Sequence, residues 1–420
     1  FRPLGQFGTR RLGGKDAASE RYIFIQLNKL TRMIFRPEDE PILDYLHDDG
    51  TPVEPRFYVP IIPMSLINGC KGIGTGFSTE ILPYNPMQII QKLKLMLEKK
   101  DSNINILPYY SKFKGDIHEL TFSKCDTKKY LIKGVYKKIN SNTINITELP
   151  VGLWTEDYKE YIEGLIDNKK RDSKILIKDF QEVSTDKHID FTIEFYPGVL
   201  DEMMSKFMDI APNCSEKVNE LEKYLKLYTT VSTSNMHLFD REDHLKKFNN
   251  IEEIIDDYFT LRLEYYEKRK LYMVERLKSE LVTISNKARY INMTLDDKID
   301  LRRKKTDEIN DLLSKLNFNI DQACVSNVKD SKNKYNYLTK MPMDSVSQDN
   351  VEKLNKELEN KEKELRELNG KLIQTLWLEE LLELETEYLK FMDEVERNQN
   401  DETRDLSSSK KKPAKLVIKK

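Results

Sequence analysis

The chain has 420 residues, of which 33% are charged and 39% hydrophobic, and its formal net charge is −2. Such a length calls for two or more domains. With no apolar run near the length of a bilayer span and no signal-peptide pattern, a soluble, non-secreted protein with no membrane partner is expected.

Cys70, Cys125, Cys214 and Cys324 stand far apart, with no Cys-x-x-Cys and no zinc-like spacing to the five histidines. Disulfides and zinc are therefore not expected, and no metal ligand is assigned.

The near-neutral total conceals a local excess of positive charge. Residues 1–36 hold eight Lys or Arg against two Asp or Glu. Within them, Gly5-Gln6-Phe7-Gly8-Thr9-Arg10-Arg11-Leu12-Gly13-Gly14-Lys15 forms a glycine-punctuated basic loop that suits a polyanion. The loop leads to Arg21-Tyr22-Ile23-Phe24. From Arg21 onward the alternation reads as a short strand, with Ile23, Ile25 and Leu27 on one face and Tyr22, Phe24 and Gln26 on the other. Asn28 then caps a brief helix carrying Leu30, Met33 and Ile34. On residue type alone Tyr22 reads as a packing residue with its hydroxyl at a rim.

Residues 37–90 are rich in Pro, Gly and apolar residues and contain Asn68-Gly69-Cys70-Lys71-Gly72-Ile73-Gly74-Thr75-Gly76. The spacing lacks both Gly-x-x-x-x-Gly-Lys-Ser/Thr and Gly-x-Gly-x-x-Gly, so nucleotide binding is set aside. Two readings stand. The string is a tight turn between apolar segments, or it projects Ile73 as a wedge between stacked base pairs.

From about 87 to 240, short β-prone runs alternate with polar turns, as in Tyr130–Tyr136, Thr143–Thr147 and Phe191–Phe195. Amphipathic helices, one through Met87, Ile90, Leu93 and Leu97, make this an α+β region. His118 and His188 are isolated, and no catalytic cluster is found here.

From Ile251 the period becomes helical through Ile254, Ile255, Tyr258, Leu261, Tyr265 and Tyr272. The run Thr283–Asn292 includes Asn286, Lys287 and Arg289, which by charge count read as an ordinary solvated helix face. Leu354, Leu358, Leu365, Leu368 and Leu372 form a second stripe, interrupted by Lys361, so two antiparallel helices are expected. Residues 294–345 would form the turn-round and carry a second dimer contact. Residues 407–420 hold six lysines and no acid, a tail expected to be disordered.

Gly5–Phe24, Pro60-Ile61-Ile62-Pro63-Met64 and the Gly69–Gly76 string resemble the breakage-reunion core of eukaryotic type IIA DNA topoisomerases. Arg-Tyr-Ile-Phe and Gly-Ile-Gly-Thr-Gly-Phe look more eukaryotic than bacterial gyrase-like. The resemblance implies that Tyr22 is the nucleophile toward a DNA phosphodiester and Arg21 its neighbouring transition-state stabiliser. It also implies that Ile73 inserts into DNA and bends it. Arg10, Arg11, Lys15, Lys71, Asn286, Lys287 and Arg289 are the implied DNA contacts, although Lys71 stands where many relatives have an acid.

The chemistry suits the residues. A phenol, with a pKa of about 10, is a good leaving group for religation, and a guanidinium can hold the extra charge on five-coordinate phosphorus. A regular strand would send Arg21 and Tyr22 to opposite faces, so both are expected at a loop-to-strand junction outside the pleat.

The implied fold is α+β. Residues 1–86 are the end of a winged-helix DNA-binding domain, and residues 87–245 a mixed α/β tower. Residues 246–385 are long antiparallel coiled-coil arms with a C-terminal gate, and 386–420 the C-terminal end and tail. Pro108-Tyr109-Tyr110, Phe113-Lys114-Gly115 and Thr147-Glu148-Leu149-Pro150 resemble tower strings, with an architectural role.

The implied activity is double-strand passage by a nuclear homodimer acting on double-stranded DNA, with Mg2+ and ATP bound outside this segment. Phe1 opens in mid-motif, as in a piece of a longer polypeptide. The alternatives are a non-catalytic architectural DNA-binding protein and a coiled-coil scaffold.

Overall fold

The computed structural model describes residues 2–100, 104–120, 128–167, 175–210, 216–301, 304–320, 334–342 and 346–409. Cys125, Cys214, Cys324 and most of the basic tail lie outside them. The chain divides into two compact units. The first comprises Phe1–Pro37, Val59–Arg262 and Glu380–Lys420, and the second Glu38–Tyr58 and Leu263–Glu379.

The first unit is built around a four-stranded antiparallel sheet in the order Ile177–Glu182, Phe191–Phe195, Thr143–Glu148, Val135–Lys138. Alternation decides which face is buried. Ile144, Ile146, Phe191, Ile193 and Phe195 point into a core closed by Tyr158 and Ile162 of the helix Thr155–Asp167. A second, three-stranded sheet runs Tyr228–Ser232, Lys129–Lys133, Asp116–Leu120.

The run Tyr130–Tyr136, which alternation presents as one strand, is therefore two strands in two sheets. The break falls at Gly134, where an added Cβ would collide with the carbonyl oxygen of Glu148. Only a glycine lets the chain pass that strand so closely. The helix Pro86–Leu97 forms as expected. Asn85 accepts the Met87 amide at 2.9 Å, Pro86 occupies the first turn, and Ile89, Ile90, Leu93 and Leu97 are buried.

The N-terminal strand is shorter than expected. Phe24–Gln26 pairs antiparallel with Arg2–Leu4, and Phe24, Ile25 and Leu27 are all exposed, so neither face is a core face. Asn28 does accept the Leu30 amide, at 3.0 Å, ahead of the short helix Thr31–Ile34.

In the second unit the 45-residue helix Ile251–Leu295, from Leu263 onward, lies beside a return helix, Gln348–Gly370. They are antiparallel: Glu280 pairs with Lys361 at 3.0 Å, and Lys270 donates to the carbonyls of Asn369 and Lys371 at 3.1 and 2.6 Å. Lys361, the gap in the leucine stripe, thus supplies a cross-helix ion pair. Leu372 falls beyond the return helix and is exposed.

Tyr290, Ile291, Ile299, Leu313, Phe318, Tyr335, Leu338 and Val351 form one core of this unit. Elsewhere the wholly buried Trp377 stacks on Tyr266 at 5.4 Å, Arg269 lies over Tyr266 at 4.4 Å, and Arg269 pairs with buried Asp39 at 3.5 Å. Asp39 comes from Glu38–Tyr58, whose strands Tyr45–Asp48 and Thr51–Pro55 are joined by Asp49-Gly50, both at positive φ, a two-residue turn that the Asp-Gly pair marks and that is absent from the expectations above. A terminal helix covers Ile373–Ser409, so the first residues of the tail are helical.

Candidate active site

Arg21 and Tyr22 sit in a single 3-10 turn, Glu20–Tyr22, closed by the Tyr22 amide donating to the Ser19 carbonyl at 2.9 Å. Ile23 then returns to extended geometry, and the strand begins at Phe24. This is the junction that the opposed-face problem required. A 3-10 turn places neighbouring side chains about 120° apart rather than 180°, and the Arg21 guanidinium lies 4.9 Å from the centre of the Tyr22 ring.

Tyr22 is 63% exposed, whereas Tyr84, Tyr130 and Tyr158 are fully buried. Desolvation raises the pKa of those three phenols, which disfavours their ionised form. An open depression lined by Ala18, Ser19, Glu20 and Arg21 adjoins the turn.

The basic loop ahead of the turn has intramolecular partners. Arg10 pairs through both terminal nitrogens with Glu148. Arg11 reaches Glu156 through Nε at 3.0 Å and Glu182 at 3.4 Å, and the Glu156 hydrogen bond raises the Arg11 pKa. Lys15 lies 3.8 Å from Asp157. Thr9 donates its amide, at 2.9 Å, and its hydroxyl, at 2.6 Å, to the Asp16 carboxylate, which is thereby held below the ordinary aspartate range. Gly13, at φ +61°, packs so closely on the indole of Trp154 that any Cβ would overlap the ring.

Lys71 and Ile73 share a hairpin of strands Cys70–Ile73 and Ser78–Ile81. Lys71 pairs across it with Glu80 at 2.8 Å. Ile73 is 93% exposed at the tip, and the Gly74 amide donates to the Phe77 carbonyl at 2.7 Å to close the turn. The string is thus a glycine turn, and it carries an exposed aliphatic side chain at its tip. Phe77, exposed on the same tip, ends the Gly-Ile-Gly-Thr-Gly-Phe string without having been given a role, and the neighbouring hairpin Met236–Phe239 and Leu245–Phe248 is not among the expected elements. That hairpin supports this one, the Glu80 amide donating to the Asn235 carbonyl at 2.8 Å and the Thr79 hydroxyl to the His237 carbonyl at 2.8 Å.

Asn286, Lys287 and Arg289 belong to the second unit. Asn286 is buried and gives its amide to Tyr337 at 3.0 Å and Asn319 at 3.3 Å. Arg289 donates to the carbonyls of Leu316 and Asn317 at 3.1 and 2.8 Å and lies 4.0 Å from the centre of the Phe318 ring. It thereby caps the helix Thr306–Lys315, satisfying its terminal carbonyls. Asn286 thus faces the protein, whereas Arg289 keeps an exposed side chain while making these bonds. Lys287 is half-buried on the same turn.

Among the described residues no group of three His, Cys, Asp or Glu could hold a metal ion. The acids nearest the tyrosine loop, Glu148, Glu156, Glu182 and Asp157, face Arg or Lys rather than one another. This donor set does not fit Mg2+.

The exposed Tyr22, with the Arg21 guanidinium beside its ring, and the hairpin tipped by Ile73 thus lie in one unit. The family of DNA gyrase/topoisomerase IV A-subunits matches residues 1–383, and the chain belongs to it.

Its curated relatives include DNA topoisomerase 2 of Arabidopsis thaliana, 36% identical over 92% of this chain and 27% of that protein. DNA topoisomerase 2-alpha of Cricetulus griseus is 34% identical over 91% of this chain and 25% of that protein. The topoisomerase II DNA-binding, cleavage and re-ligation domain of Plasmodium falciparum superposes with a TM-score of 0.79 at 35% identity, over 95% of this chain and 53% of that one. The chain thus spans about a quarter of the length of these curated relatives. All carry the topoisomerase name, and the scaffold alternative finds no support among them.

Proposed function

We propose that the chain performs the DNA breakage and reunion step of an ATP-dependent type IIA topoisomerase, with Tyr22 as nucleophile. The observation that carries this is the exposure of Tyr22 beneath Arg21 in a turn outside the pleat. The phenolic oxygen attacks phosphorus as the 3′ oxygen of the cut strand leaves, forming a 5′-phosphotyrosyl ester. Religation reverses the two bonds. Arg21 balances the charge that gathers on the phosphoryl oxygens.

Ile73 enters the base stack and bends the duplex, with Lys71 and Lys15 as phosphate contacts and Lys287 a further candidate. Two copies, one Tyr22 each, cut the two strands in a nuclear homodimer. Mg2+ and ATP serve the full-length enzyme from sites outside this segment. The arms and the winged-helix and tower domains are the framework for passage of a second duplex.

The test is direct. Full-length protein is mixed with end-labelled duplex and magnesium, denatured and digested, and the label is expected on a Tyr22 peptide. A Tyr22→Phe protein that still forms the adduct refutes the assignment.

A further inference from the structure

Three separate stretches of the chain meet at one carboxylate. Glu148, from Thr-Glu-Leu-Pro, is 2% exposed at the end of the strand Thr143–Glu148. It accepts the Lys114 amide of Phe-Lys-Gly at 3.3 Å, its own neighbour's amide, Leu149, at 2.9 Å, and both terminal nitrogens of Arg10 from the tyrosine loop. A buried carboxylate is costly unless its oxygens are filled and a counter-charge is close. Arg10 is the residue that brings the charge, so loop and strand are each incomplete without the other.

The rest of the loop is fastened to the same region. The Glu156 amide donates to the Arg11 carbonyl at 3.1 Å, and Gly13 rests on Trp154. Within the loop, Asp16 ties back to Thr9, and the Ala18 amide to the Gln6 carbonyl at 2.9 Å. Ser19 follows immediately and closes the turn that carries Tyr22. The chain between the Glu148 anchor and the nucleophile therefore has few unfixed residues.

We infer that Glu148 is a positioning residue for the Tyr22 reaction. By holding Arg10 it fixes the height and direction at which the phenol is presented to a phosphodiester. It touches no reacting atom. The inference rests on the reading of Tyr22 as nucleophile. In-line attack tolerates little displacement, and a misplacement of about 1 Å costs on the order of 100-fold in rate.

The experiment compares full-length parent, Glu148→Gln, Arg10→Gln, the double variant and Tyr22→Phe with magnesium. It measures the single-turnover rate of adduct formation, duplex affinity by anisotropy, and the rate of tryptic cutting at Arg11 and Lys15. Glu148→Gln is expected to slow adduct formation about 10- to 100-fold. It should leave duplex affinity within about twofold and speed tryptic cutting of the loop. Arg10→Gln should do the same, and the double variant should be no slower than either single one.

Unchanged adduct rates in folded Glu148→Gln, or a rate loss matched by lost affinity, overturns the inference. Should Glu148→Gln melt early, Arg10→Gln decides on the same two criteria. Adduct formation by Tyr22→Phe would instead sink the nucleophile assignment, and the tryptic comparison would still report on the anchor.

Discussion

At the scale of the residue, a single backbone decision separates the site from a plain strand. The sequence Arg21-Tyr22-Ile23-Phe24 alternates well enough to be read as pleated, and the structure turns its first half into a 3-10 turn. The conflict between two neighbouring side chains and a shared task located that turn in advance. The turn itself is closed locally by Ser19, but the bonds that fasten its loop to the rest of the unit were not legible, because Glu148 and Glu156 lie 138 and 145 positions from Arg10 and Arg11.

The local bond between Thr9 and Asp16 gives a pH prediction. The Asp16 carboxylate is held below its ordinary range, first by the Thr9 hydroxyl and then by the Thr9 amide. A lowered carboxylate pKa contributes stability that is complete above the unfolded value, about 3.9, and is lost as pH falls through the folded one. Hydrogen exchange at the Thr9 amide, followed from about pH 5 to about pH 2, should therefore lose protection only in the acid limb. A core amide such as that of Ile146 in the same sample reports any global unfolding. Asp16→Asn should remove that pH dependence, and a variant that keeps it would mean the protection comes from elsewhere.

At the scale of the element, periodicity found the long helix and the strands around residues 143–148 and 191–195, because burial there follows one face. It failed at Gly134, where the alternation runs unbroken across a change of sheet and only the packing of the Glu148 carbonyl marks the boundary. It also missed Asp39, whose partner Arg269 is 230 residues away. The leucine stripe was legible and its defect was not: Lys361 breaks the pattern and pairs with Glu280 on the facing helix as well as with Glu364 on its own.

The hairpin tipped by Ile73 is the element whose function is most separable from its fold. Its strands are held by their register, by Lys71 with Glu80, and by the flanking hairpin at Asn235 and His237. None of these involves the Ile73 side chain, which is 93% exposed. Ile73→Ala should thus alter thermal stability by no more than about 0.5 kcal/mol while reducing the bend in a bound duplex, read by energy transfer between end labels. An unchanged bend would remove the wedge, and a large stability loss would mean that the tip is packed.

At the scale of the whole molecule, 69 basic and 71 acidic side chains nearly cancel, so DNA affinity has to come from local cations. The excess over residues 1–36 is smaller in effect than the count suggests, because at least four of its eight cations are paired. Arg10, Arg11 and Lys15 have the partners described, and Arg36 lies 3.6 Å from Glu380 and 2.5 Å from Glu383.

These pairs are not equivalent. Freeing Arg10 would strand a carboxylate that is 2% exposed, which costs about 3 to 5 kcal/mol. Lys15 is 70% exposed and 3.8 Å from a half-exposed acid, a pair worth no more than about 1 kcal/mol. A phosphate would therefore recruit Lys15 at much lower cost than Arg10. In a titration of duplex affinity against salt, Lys15→Gln should lower the slope of log K on log salt by about 0.9. Arg10→Gln should leave that slope nearly unchanged while slowing cleavage. A slope reduced as far by Arg10→Gln as by Lys15→Gln would place Arg10 on the DNA and leave Glu148 without its counter-charge whenever the duplex is bound.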